Sequence, residues 1–165
     1  MKLKYSEYVI CNTTPLLYLH QLGLLQLIPK ICGKIHIPPA VVIELNAGKE
    51  QGVDVPDVAE YSWIEVNSPL SASANSLIRD LGDGETEVLL LALEHQGSLV
   101  ILDDNLARRY AVLNKIPVVG TCGLLLIAKS CGMIPDVSSI LSRLENKGFY
   151  LSNEFKEIVI CLANE

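Results

Sequence analysis

The chain reads as an α/β domain with a central parallel sheet. Three observations carry that expectation. Short apolar runs rich in β-branched residues alternate with helical stretches along most of the length. Consecutive parallel strands need helical crossovers, which this alternation supplies. Acidic and polar side chains stand where the runs end, at the sheet rim where open parallel sheets gather their sites. With 165 residues, half of them hydrophobic, the sequence suits a single domain spanning 1–165 around a sizeable core.

Tyr8–Cys11 is the first strand, closed by Asn12-Thr13-Thr14-Pro15. Thr13 or Thr14 is a good N-cap and Pro15 suits a first helical turn, so a helix follows over Leu16–Leu22, broken by Gly23. Leu24–Ile28 is a second short helical piece. Lys34–Ile37 is the next strand; Pro38-Pro39 stops it and opens a helix over Ala40–Asn46 that Ala47-Gly48 ends. Residues 49–60 are polar and without period, and Ser62–Val66 alternates as an edge strand would. Helices are expected over Ser71–Leu81 and, after the Gly82-Asp83-Gly84 turn, over Glu85–His95. Leu99–Leu102 is a strand, Asn105–Leu113 a helix, Ile116–Val119 a strand, and Thr121–Ser130 and Ser138–Lys147 helices.

Composition removes several function classes. No G-x-G-x-x-G or G-x-x-x-x-G-K-[ST] element is present, which argues against dinucleotide and P-loop chemistry. The longest apolar runs, such as Val88–Leu93, are too short to span a bilayer, and the N-terminus lacks a signal-peptide apolar core, so a cytoplasmic location without a membrane partner is expected. Five cysteines form no C-x-x-C pair, which suits reduced, buried thiols. A net charge of −6 disfavours binding nucleic acid by bulk electrostatics alone. It is compatible with a nuclease whose local field is inverted by a bound cation, or with a basic partner.

The candidate site is acidic. Asn12 ends the first strand; Asp103 and Asp104 end the strand Leu99–Leu102. Glu44 lies among apolar residues in Ala40–Leu45 and faces either solvent or a site. Glu85 opens its helix, where a carboxylate also favours the helix dipole. Asp104 is the better cap for the following helix, which leaves Asp103 free to point over the sheet. Carboxylates gathered on such a rim hold Mg²⁺ or Mn²⁺ through hard oxygen ligands. Asn12 stands where one more carboxylate would be expected.

The motifs together resemble the PIN (PilT N-terminus) domain family, and within it a prokaryotic subgroup related to VapC-type toxin ribonucleases. Val9-Ile10-Cys11-Asn12-Thr13-Thr14-Pro15-Leu16 is similar to the family's opening strand and D-T-[SN] motif. Ile37–Leu45 resembles its P-x-x-V-x-x-E-L helix, and Gly84-Glu85-Thr86-Glu87 its G-E-x-E helix start. Leu99–Arg109 resembles L-L-D-D-x-x-A-R, and Val119-Gly120-Thr121 with Ala128-Lys129 and Gly132-Met133-Ile134 resembles the closing segment. Five motifs in order span nearly the whole chain.

The resemblance implies a three-layer α/β/α sandwich around the parallel sheet and a divalent-metal ribonuclease. Glu44, Glu85 and Asp103 would be the catalytic carboxylates. With Asn12 and Asp104 they would hold Mg²⁺ or Mn²⁺, while Thr13, Thr14 and Arg108 would meet the RNA. A metal-assisted hydrolysis follows, in which the ion activates a water and stabilises charge on the phosphodiester. Implied partners are RNA, a small basic antitoxin if the chain is a toxin, and a second copy in a homodimer. The family has Asp where this chain has Asn12, which implies weakened activity; the alternative is an inactive domain that binds RNA or protein. Crowded carboxylates further predict that at least one titrates above its usual range in the absence of metal.

Overall fold

The computed structural model describes residues 7–70 and 80–165. Its strands are β1 (Val9–Cys11), β2 (Ile35–Ile37), β3 (Ile64–Val66), β4 (Leu99–Ile101) and β5 (Val118–Val119). All pair in parallel, in the order β3-β2-β1-β4-β5. Its helices are α1 (Thr13–Gln21), α2 (Leu27–Cys32), α3 (Pro39–Glu50), α4 (Asp83–Glu94), α5 (Asn105–Leu113), α6 (Thr121–Ser130), α7 (Ser138–Asn146) and α8 (Asn153–Leu162). They sandwich the sheet in three layers, as the alternation of strands and helices required.

Burial explains the strand composition. Every residue of β1, β2 and β4 is buried, as expected for the centre of a sheet covered on both faces. β3 and β5 lie at the two edges and are only partly covered. The chain builds outward from β1 through β2 to β3, then returns across α4 to place β4 on the other flank of β1. Strand order therefore reverses between β1 and β4. The carboxyl ends of those two strands flank the crevice where such sheets bind ligands. Asn12 N–H bonding to Ile101 O at 3.0 Å holds the two ends together. The Tyr8 ring, just before β1, stacks between His36 and His95 with centroid separations of 3.7 and 3.9 Å.

Several element boundaries differ from the sequence expectation for local reasons. α1 begins at Thr13, so the N-cap position is Asn12, whose side chain makes no capping bond. The second helical piece lies over Leu27–Cys32, further along than Leu24–Ile28; Pro29 falls in its first turn, where a missing N–H costs little, and Gly33 at φ 78° ends it. α3 runs past Gly48 to Glu50, and the Gln51 N–H closes it on Ala47 O at 3.2 Å and Gly48 O at 3.1 Å. β5 shrinks to two residues after Pro117, which cannot donate to the ladder. α8 was not foreseen; the Ser152 hydroxyl caps it, accepting from Phe155 N–H at 3.2 Å. Of the helix expected over Ser71–Leu81, residues 71–79 lie outside the described residues.

Candidate active site

Two consecutive residues at the end of β1 organise the acidic rim. Asn12 is 1% exposed, and its Nδ2 donates to Glu85 Oε1 at 2.9 Å. Thr13, the first residue of α1, donates its hydroxyl to Glu44 Oε2 in a very short hydrogen bond. The Gly84 N–H donates to Glu44 Oε1 at 3.0 Å. Glu44 from α3 and Glu85 from α4 are thus tied to adjacent backbone positions and to each other's neighbours. Glu44 does not face open solvent, although it sits in an apolar stretch. The approach of α3 to α4 needs Gly84: a Cβ there would meet both Glu44 carboxylate oxygens at 2.7 Å. Glu87, one turn further into α4, accepts from Ala40 N–H at 2.9 Å and anchors the start of α3.

Asp103 lies on the same rim and bonds to other partners. Its Oδ1 accepts from Thr121 N–H at 2.8 Å and its Oδ2 from the Thr121 hydroxyl at 2.6 Å. Thr121 is completely buried and opens α6. Burial pushes the Asp103 carboxyl above the usual aspartate range, against the opposing pull of Thr121 and of the Arg108 guanidinium. One rim acid therefore does titrate high. The main cause is desolvation rather than the crowding of like charges that the sequence suggested. Arg108 Nη1 donates to Leu102 O at 3.0 Å, which fixes the guanidinium beside Asp103. Gly120 permits that fit, since a Cβ there would lie 2.8 Å from both Arg108 Nη1 and Asp103 Oδ1. Asp104 accepts from Ala107 N–H at 2.8 Å and caps α5. Arg109 is exposed, and Thr14 is partly buried.

Glu44, Glu85 and Asp103 differ in their hydrogen-bond partners. Glu44 and Glu85 meet through Asn12, Thr13 and Gly84, while Asp103 is turned to Thr121 and Arg108. Among the described residues, no three His, Cys, Asp or Glu side chains form a group able to hold a metal ion. Thr121, Gly84 and Gly120 were not among the residues singled out for the site. The Gly120-Thr121 pair directly after β5 was the available signal, since it stands on the same rim as Asn12 and Asp103.

One atom here lacks a partner. Asn12 Oδ1 is the only buried side-chain oxygen or nitrogen among the described residues without a hydrogen bond. Its amide is oriented by Glu85, which requires the donor end, so the acceptor end is left over. An orphaned buried acceptor costs about 1–3 kcal/mol unless something meets it. The donor set around it is hard oxygen throughout: an amide carbonyl and two carboxylates. That set fits Mg²⁺ or Mn²⁺ retaining much of its hydration shell, since Mg²⁺ is usually held by one or two carboxylates plus waters and substrate phosphate. It does not fit an ion in a cage of protein ligands.

In a parallel α/β sandwich, the crevice at the strand-order reversal is the usual place for a ligand. The family profile for DUF3368, a PIN domain, matches residues 8–165, and the chain belongs to that family. PIN domains are generally nucleases, commonly bind RNA and typically use divalent metal ions. No curated protein and no solved structure matches the chain significantly. No helix among the described residues is long and apolar enough to cross a membrane.

Proposed function

We propose that the protein is a divalent-metal-dependent ribonuclease with activity weakened by Asn12. The observation that carries this reading is the orphaned Asn12 Oδ1 beside the Glu44–Glu85 pair, at the strand-order reversal of a PIN domain. Asn12, Glu44 and Glu85 would hold Mg²⁺ or Mn²⁺, with Asp103 available on the neighbouring strand end; Asp104 serves the α5 cap first. A divalent ion bound there supplies positive charge to a scissile phosphodiester.

The chain's own groups do the rest. Thr13 and the Gly84 N–H fix the Glu44 carboxylate, so it does not reorganise when substrate arrives. Asn12 Nδ2 orients Glu85. Arg108 stands beside Asp103, where a guanidinium meets a phosphate, and Thr14 lies on the same helix start. Burial raises the Asp103 carboxyl above the usual aspartate range, against the pull of Thr121 and Arg108. The net charge of −6 favours a small basic antitoxin as partner, and a homodimer is the assembly that the family resemblance implies.

A second reading has its own support. The Asn12–Glu85, Thr13–Glu44 and Thr121–Asp103 bonds satisfy the carboxylates without any cation, as a domain that has given up catalysis would. Incubating a mixed RNA pool with the protein and Mn²⁺ separates the two. Cleavage that is lost with chelator and with Glu85→Gln supports the nuclease. RNA binding without cleavage, by both the parent and Asn12→Asp, supports the inactive domain.

A further inference from the structure

A cavity of about 610 Å³ opens beside the candidate site, between β5, the start of α6 and α8. Asp103 and Arg108 line it, and so do three aromatic side chains, Phe149, Tyr150 and Phe155. Tyr150 is 87% exposed. On α8, Phe155, Ile158, Val159 and Leu162 follow helical spacing along one stripe, yet only Val159 is buried. The other three are exposed and line the cavity rather than the core. Val159 and Ala163, with Ile160 packed beside them, face the core, so Phe155, Ile158 and Leu162 form a second apolar face that the fold leaves open.

We propose that this cavity is the seat of an unpaired nucleobase of single-stranded RNA, adjoining the bond presented at the acidic rim. This rests on the nuclease reading and extends it to the form of the substrate. The volume falls within the range of small-ligand pockets, about 300–1,000 Å³, and suits one nucleotide. Aromatic faces bind any base by stacking, and single-stranded RNA is recognised largely this way. Arg108, the one cationic side chain lining the cavity among the described residues, would take the backbone phosphate next to that base. A base stacked inside duplex RNA cannot enter, so the cavity selects unpaired substrate.

The test uses a fluorescent single-stranded RNA hexamer in EDTA, so that binding is read without cleavage. The expected result is that Tyr150→Ala with Phe155→Ala weakens binding about tenfold or more. A duplex of the same sequence binds more weakly and is indifferent to the substitutions. Because α8 substitutions could disturb packing, a second readout uses the intact parent: the Ile158 and Leu162 methyl resonances should shift upfield on addition of the hexamer. Unchanged affinity of the double variant together with unmoved methyls overturns the proposal. So do methyl shifts that follow protein concentration without RNA, which would make a second copy the occupant. If the parent cuts RNA while the cavity stays silent, only the cavity assignment fails. If the hexamer fills the cavity and no metal brings about cleavage, the cavity stands and the nuclease reading fails.

Discussion

Replacing Asn12 with Asp places a second carboxylate against Glu85. In the native arrangement the Asn12 amide donates across 2.9 Å, at a position 1% exposed. Two ionised carboxylates at that separation would repel by about 5–6 kcal/mol at an effective dielectric of about 20. The pair has a cheaper course, which is to share one proton and restore the hydrogen bond. Keeping a carboxyl with an ordinary pKa near 4 protonated at pH 7 costs about 4 kcal/mol, at about 1.4 kcal/mol per pH unit. Glu85 is only partly buried, so screening reduces this to about 2–4 kcal/mol of lost stability without metal at neutral pH. The loss should shrink as pH falls and vanish near pH 4. Mn²⁺ should reverse it, since a ligand at a hundred times its Kd adds about 2.7 kcal/mol. Urea unfolding at pH 5 and 7.5, with and without Mn²⁺, measures all three effects. Equal stability of Asn12→Asp and parent at pH 7.5, with no gain from Mn²⁺, would refute this account of the rim. With metal restored, the same substitution should raise RNA cleavage above the parent's.

Further consequences follow from neighbouring contacts. Asp103 has a raised pKa in the folded state, so its stabilising contribution is complete below the ordinary aspartate value and is lost as pH rises through the raised one; Asp103→Asn should flatten the fall in stability over that window, and a variant with the parent's pH profile would exclude Asp103 as its source. Gly84→Ala should destabilise by about 1–2 kcal/mol despite better helix propensity, because the new Cβ displaces Glu44 from Thr13 and the Gly84 N–H; a melting temperature above the parent's would contradict that packing. His36 has its pKa lowered chiefly by burial, opposed by Glu65. The stability gained from its neutral form is present above the usual histidine value and is lost as pH falls through the lowered one, so His36→Gln should be less sensitive to acid below about pH 6, as urea midpoints across that range would show.

The sheet was legible because its centre is apolar apart from His36: Val9-Ile10-Cys11, Ile35–Ile37 and Leu99–Ile101 are buried throughout, and the runs that signal burial also signal strand. Strand order was not legible, since nothing local in Leu99–Ile101 says that it returns to the far side of β1. The rim residues could be found by their place at strand ends and helix starts, but not the directions of their side chains. Asp103 is held by Thr121, which offers it both an N–H and a hydroxyl, a pairing across 18 residues that spacing cannot show. The role of Asn12 as donor to Glu85 depends likewise on α4 approaching α3 over Gly84. The missed helix α8 carries an N-cap signal at Ser152 and apolar residues at helical spacing from Phe155 to Leu162, so both of its cues stand in the sequence.

The central claim is that a divalent cation binds at the corner formed by Asn12, Glu44 and Glu85. Paramagnetic broadening tests it directly, by adding substoichiometric Mn²⁺ to ¹⁵N-labelled protein and following every amide. The account predicts that the Asn12 side-chain NH₂ and the Gly84 N–H broaden first, and that Glu85→Gln abolishes this selectivity. Broadening spread evenly over the acidic surface, with the Asn12 and Gly84 signals no more affected than the rest, would contradict it.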